Sequence, residues 1–287
     1  MTDTHKPSGL SLSKPVSQYG KTPFDRLRAN GKGRQVSITR RKLLGGAALG
    51  LAGGLLSGCD MLNDSKPFRN MLRSAESANF TVQRALTDRQ ALATTFPESA
   101  ISPVFPSNGT KEPDSASYAR FAARDFAGWP LIIDGLVENP LDLTLEQVRA
   151  MPSQTQITRH DCVEGWSAIG KWTGVRLSHL LEQAKLKPEA RYLVFHCADR
   201  LYGVPYYESI DLIDAHHPQT ILAWALNDEP LPIGNGAPLR LRVERQLGYK
   251  HAKYVVRIEA VSTLGGVYGG KGGYWEDVAN YAWYAGI

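Results

Sequence analysis

The stretch RHDCVEGWSAIGKW, residues 159–172, sets Cys162 among Arg159, His160, Asp161 and Glu164, ahead of Trp166 and Trp172. A cysteine does chemistry as a thiolate, which forms most readily where nearby positive charge lowers its pKa. Arg159, His160 and Lys171 supply such charge in the local sequence, whereas Asp161 and Glu164 oppose it. Three readings of Cys162 stand side by side: a metal ligand, a nucleophile served by a base such as His160 or His196, and a buried structural thiol.

Other chemistries lack residues they require. The chain has no His-Glu-x-x-His, no Cys-x-x-Cys and no Cys-x-x-Cys-His, so the zinc helix, the paired thiols and covalent haem attachment are missing, and a metal site built wholly from side chains is not expected. A Gly-x-x-x-x-Gly-Lys pattern runs from Gly265 to Lys271, but Gly272 stands where a phosphate loop needs a hydroxyl. Gly165, Ser167 and Gly170 are one residue too widely spaced for a nucleophile elbow.

The 287 residues carry a formal charge of +5, which is unevenly spread: residues 1–58 hold ten Lys/Arg against two Asp/Glu, and the remainder 23 against 26. The body is near neutral, so nothing in its charge calls for a nucleic-acid partner. The basic segment contains SITRRKLLGGAALGLAGGLLSGC, in which Arg40 and Arg41 precede an apolar run that ends at Cys59. From Leu43 to Leu56 that run is about 14 residues, short for a membrane span of about 20. It resembles a twin-arginine export signal followed by a lipoprotein processing box, which implies a lipid on Cys59 and a place in the periplasm or on the outer face of a membrane. Twin-arginine export carries folded proteins, often with a cofactor already loaded. Cys162 and Cys197 are then the one intramolecular pair available for a disulfide, and their separation alone does not decide whether they pair.

The elements that must position these residues follow from pattern. SANFTVQRALTDRQALA reads as an amphipathic helix within a polar wrapping segment, residues 59–107. From Trp129 onward short strands dominate: PLIIDGLV, TQITRHDC ending at Cys162, RYLVFHCA, TILAWAL, LRLRVE with Arg240, Arg242 and Glu244 on one face, and AKYVVRIEAVSTL. LTLEQVRAMP is a short helix with Thr144 as its N-cap, and RLSHLLEQAKL is another with Ser178 near its start. Many strands with short, non-alternating helices predict an α+β fold with mixed β-sheets. The body then divides into a domain over 108–264 and a Gly/aromatic tail over 265–287, with the signal segment at 1–58.

Three separated motifs change the weight on Cys162. RHDCVEGWSAIGKWTGVRLSHLL, HHPQTILAWALNDEPLPIGNGAPLRLRV and RQLGYKHAKYVVRIE, in that order, resemble the molybdopterin-binding domain of the sulfite oxidase family, nearest its periplasmic methionine sulfoxide reductase branch, from about Asn108 to Leu264. The resemblance implies a sulfite-oxidase-type fold, Mo-molybdopterin as cofactor, and Cys162 as the sulfur ligand of molybdenum. It places pterin contacts at Asn235 and Arg240 of Asn-Gly-Ala-Pro-x-Arg and at Gly248, Tyr249 and Lys250 of Gly-aromatic-Lys, with Arg240 and Lys250 the natural partners of a phosphate. Asn108 matches the family's upstream Asn, although Lys111 replaces the aromatic that precedes the motif's Glu. Cys197 falls where the family often has a pterin-contacting Thr, and either packs near the cofactor or fills a strand. Arg159 and His160 border Cys162 and either bind an oxyanion substrate or neutralise Asp161. The Arg-rich stretch of sulfite oxidases is replaced here by VEGWSAIG, which argues against a dedicated sulfite site.

The function implied is an exported, monomeric molybdopterin-dependent oxidoreductase that moves an oxygen atom or two electrons to or from a small-molecule substrate and exchanges electrons with a separate partner, in this family typically a membrane cytochrome b. The alternative is a cell-envelope binding lipoprotein that keeps the fold without redox turnover.

Overall fold

The computed structural model describes residues 65–287; the expected signal segment, with Arg40, Arg41 and Cys59, lies outside the described residues. Residues 69–287 form one compact unit. In chain order the elements are α1 (Lys66–Leu86), α2 (Ala116–Ala122), β1 (Pro130–Gly135), β2 (Leu141–Thr144), α3 (Leu145–Arg149), β3 (Ser153–Asp161), β4 (Ser167–Arg176), α4 (Leu177–Ala184), β5 (Tyr192–Leu201), β6 (Val204–Asp211), α5 (Leu212–Ala215), β7 (Ile221–Leu226), β8 (Glu229–Pro230), β9 (Arg240–Arg242), β10 (Val255–Val261) and α6 (Tyr274–Ala279). Among the described residues no helix is long and apolar enough to cross a membrane.

Two sheets organise these elements. The first has the order β2-β1-β10-β5-β6, with β1 and β10 parallel and every other pair antiparallel. The second runs β3-β4-β7-β8, with β9 paired to β7, and is antiparallel throughout. The mixed sheets and short helices match the sequence pattern. Thr144 caps α3 as expected, and Gln147 completes a capping box by accepting from the Thr144 amide at 2.8 Å.

The main core draws on both sheets: Leu131 and Ile133 of β1, Val175 of β4, Leu193 and Phe195 of β5, Leu222 of β7, Leu241 of β9 and Ile258 of β10 pack with Leu177, Leu180 and Leu181 of α4. Each such side chain contributes about 1.5–3 kcal/mol of burial. On β7 the pleat sends Leu222 into this core and Ile221 and Ala223 into a second one around Trp172, so that strand is covered on both faces.

Two elements depart from the sequence expectation. The first helix runs over 66–86 rather than 77–93, because the chain turns after Leu86 and Asp88 Oδ1 accepts from the Gln90 amide there. LRLRVE yields only the three-residue β9, and both its faces are buried. Arg242 donates to Glu244 Oε1 at 2.9 Å and Oε2 at 2.6 Å, while Arg240 lies over Trp172 with its guanidinium carbon 5.3 Å from the ring centroid. Internal pairing and ring stacking let the expected polar face turn inward.

Candidate active site

Segments far apart in sequence converge on a partly enclosed cleft of about 120 Å3, whose wall includes Asn108, Thr110, Cys162, Asp199, Gly248, Tyr249, His251 and Lys253. Cys162 follows the last residue of β3, at the turn of the β3–β4 hairpin. Its amide donates to the Trp166 carbonyl at 2.9 Å and its carbonyl accepts from the Gly165 amide at 3.0 Å, which fixes the backbone that carries the thiol. The residue is 7% exposed. Asn108 Nδ2 stands 3.9 Å from its Sγ, within donor range for sulfur. Burial, the largest cause, pushes the thiol pKa up, with the Glu164 charge in the same direction; a backbone hydrogen bond at Glu164, the Arg240 charge and Asn108 pull it down.

The basic residues behind this thiol are held by a loop that needs glycine. Gly236 has φ +111°, and a Cβ there would lie 2.9 Å from Lys253 Cβ and 3.3 Å from Arg240 Cβ. Arg240 is fully buried; its Nη1 donates to the Asn235 carbonyl at 2.9 Å, while Nε and Nη2 have no partner. Lys253 donates to the carbonyls of Asn108 at 2.7 Å, Gly234 at 3.0 Å and Thr110. Among the described residues neither Arg240 nor Lys253 makes an ion pair. Burial, followed by the charge of Arg242, brings Arg240 down to about 9; burial and then the charge of Arg240 bring Lys253 down to about 7.

The residues singled out in the sequence take different places. Asn108, Cys162, Gly248 and Tyr249 line the cleft. His160 is buried behind it, where its Nδ1 accepts from Arg242 Nη1 at 2.9 Å. That bond puts the imidazole proton on Nε2, which Gly248 faces so closely that a Cβ at 248 would collide with it. Burial and the surrounding cations hold the His160 pKa well below the usual range. Arg159 points the other way along the strand; its side chain is 56% exposed and its Nε pairs with Asp161 at 2.9 Å. Asn235 Nδ2 donates to the Pro106 carbonyl at 3.3 Å and orients the loop that carries Arg240.

Cys197 packs against the main core, and both it and Cys162 are free thiols. Lys250 differs most from its expected role as a phosphate partner. Its ammonium is fully buried between Glu208 at 2.6 Å and Glu276 at 2.5 Å, so its charge is already matched by carboxylates. His196 hydrogen-bonds Tyr268 and Glu259, and His160 bonds Arg242, so neither histidine presents a base to the Cys162 thiol. Among the described residues neither of these two histidines forms with Cys162 the nucleophile–base pair that a thiol enzyme requires.

Sequence reading missed several members of the wall: Thr110, Asp199, Tyr206, His251, Lys253, Trp275 and Tyr281. The tail reaches the cleft through Trp275 and Tyr281, whose rings stack 5.6 Å apart at 22°. Its aromatic density, YWEDVANYAWY, marked it as something other than a loose end.

The family model for the oxidoreductase molybdopterin binding domain matches residues 119–264. The chain belongs to this family. It is 36% identical over 253 residues to YedZ1 of Azospira oryzae, a candidate protein-methionine-sulfoxide reductase subunit, covering 88% of this chain and 87% of that protein. The crystal structure of the sulfane dehydrogenase SoxCD from Paracoccus pantotrophus is 27% identical, with a TM-score of 0.43, and the match spans 47% of this chain and 38% of that one. The protein is thus a molybdenum-dependent oxidoreductase with a molybdopterin cofactor and the molybdopterin-binding α+β fold that the three sequence motifs implied.

The residues present fit that cofactor. A phosphate-bearing pterin needs buried cations without carboxylate partners, and Arg240 with its orphaned nitrogens and Lys253 with only carbonyl acceptors supply them. A soft, redox-active metal needs a thiol directed into the site, and Cys162 lines the same cleft. No group of three or more His, Cys, Asp or Glu among the described residues could hold a metal alone.

Proposed function

We propose that this chain is the catalytic subunit of an exported sulfoxide reductase, with Cys162 as the thiolate ligand of molybdenum and Arg240, Lys253 and Asn108 as the principal holders of the cofactor. The observation that carries the reading is the pairing of a buried, cleft-facing thiol with two buried cations that make no ion pair among the described residues. When bound, the molybdopterin centre supplies two-electron oxygen-atom chemistry. The protein's own residues do the rest: Asn108 orients the Cys162 sulfur, Gly236 lets Arg240 and Lys253 approach each other, and neutral His160 holds Arg242 away from the cleft.

The wall favours a neutral substrate over a sulfite-like dianion. Among the described residues Glu164 and Asp199 line it, its one lysine, Lys253, serves the cofactor, and Arg159 stands outside. A sulfoxide presents a polar oxygen on an apolar frame, which suits a cleft that also offers Leu201, Tyr206, Trp275 and Tyr281. The name of the Azospira oryzae relative, a subunit acting on protein methionine sulfoxide, supports both the substrate class and a partner subunit. That partner is a membrane cytochrome b-type electron donor, and the chain meets it at the outer face of the membrane after twin-arginine export and lipidation at Cys59; the Arg40-Arg41 signal and the cysteine that closes its apolar run support this placement. Protein produced in a molybdenum-sufficient host should carry stoichiometric molybdenum and oxidise reduced viologen dye when methionine sulfoxide is added. Metal-free protein, or holoenzyme that oxidises sulfite and leaves sulfoxides untouched, would overturn the reading.

A further inference from the structure

Reduction of a sulfoxide consumes two protons along with two electrons, so the site needs a proton donor as well as a metal. Asp199, on β5, is 2% exposed, lines the cleft together with Cys162, and its Oδ1 has no hydrogen-bond partner. The other acid of the wall, Glu164, is exposed in the hairpin turn and accepts from Trp166 Nε1 at 3.0 Å. A carboxylate oxygen buried without a partner is costly as an anion and much less so as a neutral acid. We propose that Asp199 is the proton donor of this cleft, delivering its proton to the sulfoxide oxygen as the sulfur–oxygen bond breaks. The role rests on the sulfoxide-reductase reading above.

The groups around Asp199 are consistent with it. Lys253 and the Thr110 hydroxyl favour its anion, Asp114 opposes it, and Cys197, Tyr118, Tyr206 and Tyr254 face it as groups whose own ionisation is pushed up. Burial is the largest influence and raises the carboxyl to about 6, where a carboxylic acid still holds its proton in mildly acidic solution. The sulfur–oxygen bond breaks, sulfur takes two electrons from the reduced cofactor, and the oxygen leaves as water with one proton from Asp199 and one from solvent. Asp199 is left as a carboxylate beside Lys253 and is reprotonated through the open side of the cleft. The two electrons would be supplied through the bound cofactor by a haem-type one-electron carrier or, in the assay, by reduced viologen dye.

The test compares wild-type holoenzyme with Asp199→Asn and Asp199→Glu, using methionine sulfoxide and reduced viologen across pH. The wild-type rate should fall about tenfold per pH unit above the carboxyl's pKa of about 6. Asp199→Asn should lower turnover by about a hundredfold or more and abolish that limb, with molybdenum content unchanged, and Asp199→Glu should restore the limb. A readout independent of turnover is the infrared band of a protonated carboxyl in the holoenzyme, which should titrate near pH 6 in wild type and be missing in Asp199→Asn. An Asp199→Asn enzyme with the wild-type pH profile, or one that loses molybdenum while keeping the limb, overturns the proton-donor role alone. Wild-type holoenzyme that turns over no sulfoxide overturns the sulfoxide reading and this role with it.

Discussion

Two buried lysines three residues apart show how this protein separates scaffold from site. Lys250 lies between Glu208 and Glu276, and their charges raise its pKa although burial opposes this. Lys253 is nearly as buried, but its partners are three backbone carbonyls, and burial together with Arg240 lowers it to about 7. Carbonyls satisfy the hydrogen bonds of an ammonium without cancelling its charge. The first lysine is matched internally and pins α6, through Glu276, to β6, through Glu208; the second makes no ion pair among the described residues, feels the Asp199 charge only at longer range, and would be neutralised by an anionic cofactor. Burial alone does not distinguish the two, and the chemistry of the partner does.

Breaking the internal match should have the largest effect. Lys250→Met leaves two buried carboxylates facing each other and should destabilise the apo-protein by about 3–5 kcal/mol, read by denaturant unfolding. Lys253→Met removes a charge that the apo-protein holds at a cost, so its apo stability should stay level or rise, whereas cofactor affinity should fall by about 1.5–3 kcal/mol, read as molybdopterin retained through gel filtration. If both variants lost stability equally, the contrast between the lysines would be wrong.

Titration sharpens the same contrast. The folded apo-protein releases the Lys253 proton at about pH 7, while the unfolded chain holds it until about 10.4. Between those values the unfolded state binds more protons, so the Lys253 contribution to apo stability should rise with pH across that window and fall as pH drops through it. Lys253→Met should remove that slope, as seen by subtracting the mutant unfolding curves from those of wild type. The smallest effect belongs to Arg159→Ala: an exposed arginine paired only with Asp161 should shift stability by no more than about 0.5 kcal/mol and leave molybdenum content unchanged.

Much of this arrangement was legible in the sequence, for local reasons. Alternation marked β3 and put Cys162 at its end, Thr144 announced α3, and the motifs around Cys162, Asn235 and Gly248 identified the cofactor family. What could not be read was which side chains meet across the fold. Lys250 and Lys253 look alike in RQLGYKHAKY, and only the approach of Glu208 from β6 and Glu276 from the tail separates them. Asp199 follows a buried strand run with nothing local to say that its carboxyl faces the thiol's cleft. Arg159 and His160 are neighbours whose roles diverge because the pleat of β3 sends one to solvent and the other to Arg242.

Whether Cys162 holds molybdenum through sulfur is decided by X-ray absorption together with Mo(V) electron paramagnetic resonance on wild-type and Cys162→Ser holoprotein. Serine nearly preserves the shape of the buried side chain but replaces the soft donor. Cys162→Ser should fold, retain pterin bound at Arg240 and Lys253, lose the thiolate signature at molybdenum and lose sulfoxide turnover. A variant whose spectra and turnover match those of wild type would contradict ligation by Cys162.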